Sequence, residues 1–390
     1  MQISQDILDL VPTMESWRHD LHAHPETAFE EHRTADFIAR ELRAMGLEVH
    51  QGLAGTGVVG VLRGGNGPAV GLRTDIDALN VQETTGLPYA STIPGKMHAC
   101  GHDGHTTMLL GAAHHLSHNP PSTGTVVFIF QPAEENEGGA RVMVEDGLFE
   151  QFPVSRVFAL HNWPGLPEGQ ISMRKGPIMA ALDTFELILT GRGSHAAMPH
   201  EGTDSVTLAA QIQNAWQTIV SRMIDPNDAA VISITQMVAG DTLNVIPEKV
   251  VLRGTVRSLR PEVQDLLESE MGHRARCVAD AYRTQAELRY ERRYPATIND
   301  AGAVDLAMQA ASAVVGAQSV RTDLTPSMAA EDFAFMIRDT PGAYVWLGNG
   351  TAEGGRNLHS PNYRFNDAIL PIGAQYFGEL ARCALSDLSR

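Results

Sequence analysis

Three short apolar segments of this sequence each lead directly into acidic or histidine side chains. These are residues 69–73 followed by Asp75 and Asp77, residues 126–130 followed by Glu134 and Glu135, and residues 157–160 followed by His161. A continuous apolar run of this length is typical of a strand that is buried on both faces. Ligands of open α/β sheets bind beyond the carboxyl ends of the strands. The pattern therefore predicts an α/β fold in which these polar groups meet at one edge of a central sheet.

The middle of the chain has a different pattern. Alternating or apolar strand segments at 183–190, 229–236, 249–257 and 286–292 surround two helical segments at 203–223 and 261–282. The resulting order, βαββαβ, is that of a ferredoxin-like α+β domain. A chain of 390 residues is long enough for two domains. We therefore predict a discontinuous α/β domain at 1–181 and 295–390, with a mixed or parallel sheet flanked by helices, and an inserted α+β domain at 182–294.

Composition limits the possible partners and the compartment. A net charge of −17 argues against nucleic acid, because binding phosphates requires a basic surface. The sequence contains no charged segment leading into an apolar stretch at its start, and no run of eighteen apolar residues. Three widely spaced cysteines fit a reducing compartment. We therefore expect a soluble, cytoplasmic protein without a membrane or nucleic-acid partner.

Side chains that bind metals occur in four short clusters of the sequence. They are Cys100 and His102, the pair Glu134 and Glu135, His161, and His359. Gly101 permits a bend that lets Cys100 and His102 converge on one ion. A set that combines thiolate, imidazole and carboxylate suits zinc, manganese, cobalt or nickel, and argues against calcium or magnesium. His105, one turn into the following helix, is predicted to support the ligands by packing.

The adjacent pair Glu134 and Glu135 matches the two tasks of a metal-dependent hydrolase. Neighbouring side chains point in different directions, so one can bind an ion while the other takes a proton from water. An isolated acidic pair at a strand end is more often a solvated charge pair. Asp77 either starts a turn or orients a ligand histidine by hydrogen bonding. His195, on a loop of the inserted domain, either stabilises an oxyanion or has no role.

Motifs along the whole chain resemble one family. The matching stretches are HDLHAHPE at 19–26, RTDIDAL at 73–79, HACGHDGH at 98–105, QPAEE at 131–135, LHNWP at 160–164, GSHAAMPH at 193–200, NVIP at 244–247, AEDF at 330–333 and HSP at 359–361. They resemble the dinuclear-metal amidohydrolases, which include hippurate hydrolases, N-acyl-amino-acid aminoacylases and plant hydrolases of indole-acetyl amino acids. These enzymes are relatives of metal-dependent exopeptidases that carry an inserted dimerisation lid.

The resemblance implies a role for each matching residue. The implied metal ligands are Cys100, His102, Glu135, His161 and His359, with Cys100 bridging two ions. Glu134 is the implied base, and His195 is implied to assist the transition state in its own or a neighbouring subunit. Asn244 and Arg257 are implied to contact the substrate carboxylate. One or two ions of Zn, Mn, Co or Ni per subunit and a homodimer or higher oligomer through the lid are also implied. Two departures, Asn80 and Ala330, do not fall on an implied ligand.

The expected reaction is hydrolysis of the amide bond of an N-acyl amino acid. A dipeptidase or exopeptidase that uses the same metal centre is the alternative within enzymes, since only recognition of the substrate end differs. A metal-dependent binding protein without catalysis is a third possibility. The presence of Glu134 argues against this third possibility, because a protein that had lost catalysis would not need the base.

Overall fold

The computed structural model describes residues 2–135 and 137–389, so the first and last residues of the predicted catalytic domain lie outside the described part. The α-helices are α1 (Gln5–Ala23), α2 (His32–Ala44), α3 (His102–His118), α4 (Gly139–Glu145), α5 (Leu148–Gln151), α6 (Ser205–Arg222), α7 (Pro261–Ala281), α8 (Ala301–Val315), α9 (Ala334–Ile337) and α10 (Leu370–Leu388). Short 3-10 helices lie at Pro199–Glu201, Ala317–Ser319 and Asp367–Ile369. The strands are β1 (Glu48–Leu53), β2 (Gly57–Arg63), β3 (Ala69–Asp75), β4 (Thr125–Gln131), β5 (Arg156–Trp163), β6 (Ile171–Ser172), β7 (Gly176–Met179), β8 (Ala181–Thr190), β9 (Ser194–His195), β10 (Ala230–Ala239), β11 (Val245–Ile246), β12 (Lys249–Ser258), β13 (Gln285–Tyr294), β14 (Thr297–Asn299), β15 (Val320–Arg321) and β16 (Gly342–Gly348).

The chain folds into two compact units. The first consists of Met1–Ile178, Ile298–Thr325 and Asp332–Arg390, and the second of Met179–Thr297 and Pro326–Glu331. The short segment 326–331 belongs to the second unit, although it lies far from the rest of that unit in sequence. Among the described residues, no helix is long and apolar enough to cross a membrane.

The first unit contains an eight-stranded sheet in the order β1-β2-β4-β3-β5-β16-β6-β15. The four central strands, β4, β3, β5 and β16, run parallel to one another. Antiparallel pairs flank them on both sides, between β1, β2 and β4 and between β16 and β6. The predicted α/β class with a mixed central sheet is confirmed. The carboxyl ends of β4, β3 and β5 are neighbours, so the residues that follow them meet at one edge.

Helices α3 and α10 pack closely beside this sheet. Both are buried along nearly their whole length, and their apolar side chains join those of α1 and α8 in one core. Gly373 of α10 permits the close approach, because a Cβ at this position would lie 2.0 Å from Met108 Sδ of α3. This tight packing fixes the start of α3, where His102 lies.

The second unit has the predicted βαββαβ order, formed by β8, α6, β10, β12, α7 and β13. Its four-stranded antiparallel sheet has the order β10-β12-β8-β13. Along β8, Phe185, Leu187 and Leu189 alternate with partly exposed residues and pack with Trp216 of α6 in a separate core. The alternation places both helices on one face and leaves the other face open. The ferredoxin-like class predicted for this part is confirmed.

The N-terminal helix was not predicted from the sequence pattern, and neither were the short helices α4, α5 and α9. Helix α1 buries Ile7, Leu10, Met14 and Leu21 on one face. Pro12 lies inside it, and proline normally interrupts a helix because its ring removes an N–H donor. The first clear helical periodicity of the sequence, with Ala35, Ile38 and Leu42 on one face, belongs to α2.

Candidate metal centre

The three strand ends bring their polar side chains to the edge of the sheet. Asp75 is the last residue of β3, Gln131 the last of β4, and His161 lies near the end of β5. Helix α3 begins at His102, directly after Gly101, which has a left-handed φ of 96°. A Cβ at Gly101 would lie 2.5 Å from Tyr363 Oη and from Asn162 Nδ2, so only glycine fits this turn. The turn delivers Cys100 and His102 to the same edge.

His359 reaches this edge from the far end of the chain. Its backbone N–H donates to the carbonyl of Ala99 at 2.8 Å, which places it beside Cys100. Its Nε2 lies 3.1 Å from Glu135 Oε1. Potential ligand atoms of Cys100, Glu135 and His359 all lie within 4.8 Å of one another. The structure therefore brings together residues that are more than two hundred positions apart in sequence.

The tautomers of two buried histidines follow from their acceptors. The Nδ1–H of His102 donates to Asp77 Oδ1 at 3.1 Å, and that of His161 donates to the carbonyl of Asn162 at 2.5 Å. In its neutral form, each histidine therefore presents the lone pair of its Nε2. His161 Nε2 lies 3.4 Å from Cys100 Sγ. His102 Nε2 is buried and has no hydrogen-bond partner among the described residues. Since buried polar atoms are usually paired, and potential ligand atoms of Glu134 and Glu135 lie nearby, this nitrogen is suited to bind a metal.

His105 is engaged at both ring nitrogens. The backbone N–H and the side-chain amide of Asn162 both approach its Nε2 at 2.9 Å, so this nitrogen accepts. Its Nδ1–H donates to Asp75 Oδ1 at 2.7 Å. The ring also packs edge-on against His161, with centroids 4.4 Å apart. His105 therefore supports the neighbouring histidine by packing, as expected.

The electrostatics of this cluster favour a bound cation. Burial alone would lower the pKa of His102, but the carboxylates of Asp75 and Asp77 outweigh it and raise this pKa to about 10. Burial, reinforced by Glu135 and Glu134, raises the pKa of the Cys100 thiol well above its usual value. The shift of His102, and the carboxylate contribution to that of Cys100, reflect negative charge in a buried space. A divalent cation would neutralise this charge and favour the thiolate and the neutral imidazole. The donor set thus fits a metal ion.

Asp77 connects His102 to the pair of glutamates. Its Oδ1 accepts from His102, and its Oδ2 accepts from the backbone N–H of Glu135 at 3.0 Å. Glu134 is buried, and its carboxylate lies within 4.8 Å of potential ligand atoms of His102 and Glu135. The two adjacent glutamates thus face the same cluster.

Buried ion pairs behind these residues were not predicted from the sequence. Asp103, next to His102, accepts from Arg18 Nη1 at 3.1 Å and from His22 Nδ1 at 2.8 Å. Burial would lower the pKa of His22, but Asp103 raises it to about 9. These contacts anchor the first turn of α3. Arg18 is buried, and nothing in the sequence pattern indicates this burial. The ion pairs therefore could not be predicted from the sequence.

The inserted unit contains the other three predicted site residues. His195 on β9 pairs with Val245 on β11, and the N–H of Ala196 donates to the carbonyl of Asn244 at 2.9 Å. His195 and Asn244 are therefore adjacent. The N–H of Ala197 donates to His195 Nδ1 at 3.1 Å, so the exposed ring carries its proton on Nε2.

Arg257 is not brought together with them. It lies near one end of β12 and Lys249 lies at the other end, where Lys249 pairs with Thr190 just before the loop that carries His195. Eight residues of extended strand separate the two ends of β12 by about 26 Å. Within one chain, His195 and Arg257 therefore lie at opposite ends of the lid sheet.

Comparisons with known proteins agree with this geometry. Residues 71–382 match the family described as Peptidase family M20/M25/M40. The chain is 40% identical to a hippurate hydrolase of Campylobacter jejuni, covering 98% of this chain and 99% of that protein. It is 40% identical to an N-acetylcysteine deacetylase of Bacillus subtilis, covering 95% and 96%.

A solved structure extends this similarity to the fold. A dinuclear metal-binding peptidase of the M20 family from Bacillus subtilis is 35% identical, with a TM-score of 0.86 over 97% of this chain and 99% of that one. The resemblance stated from the motifs is confirmed. On the family match, the near-complete coverage of these relatives and the gathered ligand set, this chain belongs to the M20/M25/M40 peptidase family.

Proposed function

We propose that the protein is a metal-dependent hydrolase that cleaves the amide bond of N-acyl amino acids to a carboxylate and a free amino acid. The relatives named for hydrolysis of hippurate and of N-acetylcysteine, each matched over nearly its full length, support this substrate class. The observation that carries the proposal is the buried Nε2 of His102, which lacks a hydrogen-bond partner among the described residues, beside two adjacent glutamates. One group of this site is suited to bind an ion and another to accept a proton.

The proposed metal ligands are Cys100, His102, Glu135, His161 and His359, for one or two divalent ions per subunit. A bound ion of this kind polarises a carbonyl and lowers the pKa of water. Zinc, manganese, cobalt and nickel all suit the ligand set. Asp77 orients His102 through Nδ1 and holds the backbone of Glu135, so its proposed task is to keep two ligands in place.

Glu134 is the proposed general base. Its buried carboxylate adjoins the ligand cluster, and its neighbour Glu135 faces the same space. In this role Glu134 takes a proton from the attacking water and later delivers it to the leaving nitrogen of the amide. A carboxylate that lies beside the proposed ligands, but is not one of them, is suited to this exchange.

The second unit, predicted as a lid at 182–294, has a proposed role in recognition and assembly. His195 presents an Nε2–H that is suited to stabilise an oxyanion. Asn244 and Arg257 are the proposed contacts of the substrate carboxylate. Because His195 and Arg257 lie at opposite ends of the four-stranded sheet, we propose that in a homodimer they serve the active sites of different subunits.

The lid also has a surface suited to pairing with a second copy. Strand β10 lies at the edge of the lid sheet, and its Val231, Met237 and Val238 are exposed. Leu243 and Val245, in the adjoining loop and strand, are exposed as well. An apolar edge strand is a template for pairing, and it supports the proposed homodimer. Three free cysteines support a cytoplasmic location.

A substrate panel tests the proposed reaction. We expect the metal-loaded protein to hydrolyse at least one of the N-acetyl, N-benzoyl or longer N-acyl amino acids, and to lose activity when a chelator removes the metal. Replacing Glu134→Ala is expected to lower kcat by about 10²- to 10⁴-fold with metal still bound. Near-wild-type turnover in this variant at unchanged metal content would contradict the assignment of the base.

The alternative is an exopeptidase, because the structural relative from Bacillus subtilis is called a peptidase. Matched dipeptides with a free or an acylated amino terminus separate the two functions. Preference for the acylated form supports the proposal, and preference for the free amine supports the alternative.

A further inference from the structure

The segment between β4 and α4 carries Glu134 and Glu135 on an unusual backbone. Ala133, directly before them, is fully buried and has a left-handed φ of 54°. The N–H of Gly139 donates back to the carbonyl of Ala133 at 2.9 Å, which closes the loop on itself. Residues with a Cβ disfavour the left-handed region, so surrounding contacts must hold Ala133 in this conformation.

The side chain that contacts Ala133 is Glu31, at the start of α2. Its Oε1 accepts the backbone N–H of Ala133 at 2.9 Å, and its Oε2 accepts the hydroxyl of Thr56 at 2.6 Å. Glu31 is fully buried. A carboxyl group is rarely buried to this extent unless both of its oxygens are paired. Its contacts therefore link α2 and the β2 side of the sheet to the loop.

Two further carboxylates hold the same loop at other points. Asp77 accepts from the N–H of Glu135, and Asp332 accepts from the N–H of Ala140 at 2.8 Å. The loop is thus fixed before, at and after the two glutamates. Of the three contacts, the one from Glu31 acts on the residue whose backbone conformation is unfavourable.

We propose that Glu31 is a positioning residue that holds Ala133 in the left-handed conformation and thereby directs Glu134 and Glu135 into the metal site. The proposal rests on the proposed function for the roles of those two glutamates. Glu31 acts through the peptide of Ala133. The turn at Ala133 sets the direction of the chain into Glu134, so a change there displaces both glutamates together.

The contact requires an acceptor atom rather than a full negative charge. Burial raises the pKa of Glu31 to about 7, although the hydrogen bond from Thr56 opposes this rise. A protonated carboxyl and a glutamine amide both retain one oxygen that accepts from Ala133, and the hydroxyl of Thr56 can accept as well as donate. Glutamine at position 31 therefore preserves the contact, whereas alanine leaves the buried N–H of Ala133 without it.

The experiment compares Glu31→Ala, Glu31→Gln and the double variant Glu31→Ala/Ala133→Gly with wild type. For each, kcat and KM are measured with the N-acyl amino acid that wild type hydrolyses best. Zinc affinity is measured by calorimetry on metal-free protein. We expect Glu31→Ala to lower kcat by about 10- to 100-fold and zinc affinity by about tenfold, with KM within about threefold. Glu31→Gln is expected to stay within about threefold of wild type in both.

The double variant tests the mechanism of positioning. Glycine adopts the left-handed conformation without a steric penalty, so Ala133→Gly is expected to restore at least a third of the kcat and zinc affinity that Glu31→Ala loses. Glycine also relieves strain and so raises stability; kcat and zinc affinity are therefore compared on folded protein, where recovery reports the position of the two glutamates. Absence of any recovery would contradict the proposed action through Ala133.

Glu26→Ala is the matched control. Glu26 lies in the loop before α2, and its side chain accepts the N–H groups of Arg33 and Thr34, in the first turn of that helix, at 3.0 and 2.8 Å. We expect this variant to lose stability in urea while keeping kcat and zinc affinity within about twofold. If it loses both as strongly as Glu31→Ala, the effect belongs to α2 as a whole and the proposal is overturned.

Two further outcomes are decisive. The proposal is overturned if Glu31→Ala keeps both kcat and zinc affinity within twofold of wild type. This holds even if Glu134→Ala abolishes turnover and so supports the proposed function. If wild type hydrolyses no N-acyl amino acid, the proposed function fails, but the zinc titration still tests Glu31 through Glu135. Should Glu31→Ala not fold, Glu31→Asp replaces it, since the shorter side chain withdraws the acceptor from Ala133 and retains the charge.

Discussion

Replacing Asp77→Asn is expected to weaken metal binding while leaving the fold intact. Each carboxylate oxygen of Asp77 accepts one N–H, from His102 Nδ1 at 3.1 Å and from Glu135 at 3.0 Å. In asparagine one of these oxygens becomes an amide group that can only donate, so it faces another donor. One buried N–H loses its acceptor, at a cost of about 1–3 kcal/mol. Because the affected group belongs to a proposed metal ligand, this cost corresponds to a roughly 5- to 150-fold larger dissociation constant for zinc.

The measurement is a calorimetric titration of metal-free protein with zinc in the presence of a competing chelator. Circular dichroism checks that the fold is retained. Asp20→Asn is the matched control, because Asp20 forms an exposed ion pair with Arg33 and lies on the surface of α1. The reasoning is refuted if Asp77→Asn binds zinc within twofold of wild type while its circular dichroism spectrum is unchanged.

Three further predictions follow from buried or positioned groups. The pKa of His22 is raised to about 9, so its contribution to the free energy of unfolding is complete below pH 6.5 and is lost as the pH rises through 9. Urea unfolding of metal-free protein at pH 6.5 and 9 measures this loss, and His22→Gln is expected to make it smaller by up to about 3 kcal/mol. Gly373→Ala is expected to lower stability by about 1–3 kcal/mol, seen as a lower Tm, because the new Cβ would collide with Met108. His195→Gln is expected to lower kcat by about 10²- to 10³-fold without changing zinc affinity, whereas weaker zinc binding would argue against a role confined to the transition state.

The sequence predicted the parts of the fold in which a local pattern determines the structure. Strand β4 reads as a continuous apolar run because both of its faces are buried. The alternation in β8 is equally clear because only one face of the lid sheet packs against helices. Strand β1 was not predicted, since it is largely exposed and polar and forms only through its pairing with β2. Its structure depends on a partner and is not encoded in its own composition.

The candidate site follows the same division. The gathering of Asp75, Glu134 and His161 at one sheet edge could be predicted, because each lies at or just beyond the end of a strand with a clear apolar pattern. The contact between Glu31 and Ala133 could not, since it joins residues 102 positions apart through a backbone N–H that any residue but proline would offer. The separation of Arg257 from His195 also required the strand register. Tertiary hydrogen bonds of this kind leave no periodicity in the sequence.

The hydrogen bond from the His359 N–H to the Ala99 carbonyl has a consequence for how metal affinity arises. Bringing His359 to Cys100 closes a very long loop of chain, and in a flexible polymer such closure carries an entropic penalty of several kcal/mol. Here a hydrogen bond between backbone atoms holds the two ends together, and neither of its atoms belongs to a proposed ligand side chain. The free energy of metal binding is therefore not consumed by closing the loop. Exchange of one divalent metal for another is expected to proceed on a preorganised scaffold, with the two halves of the catalytic unit remaining joined throughout.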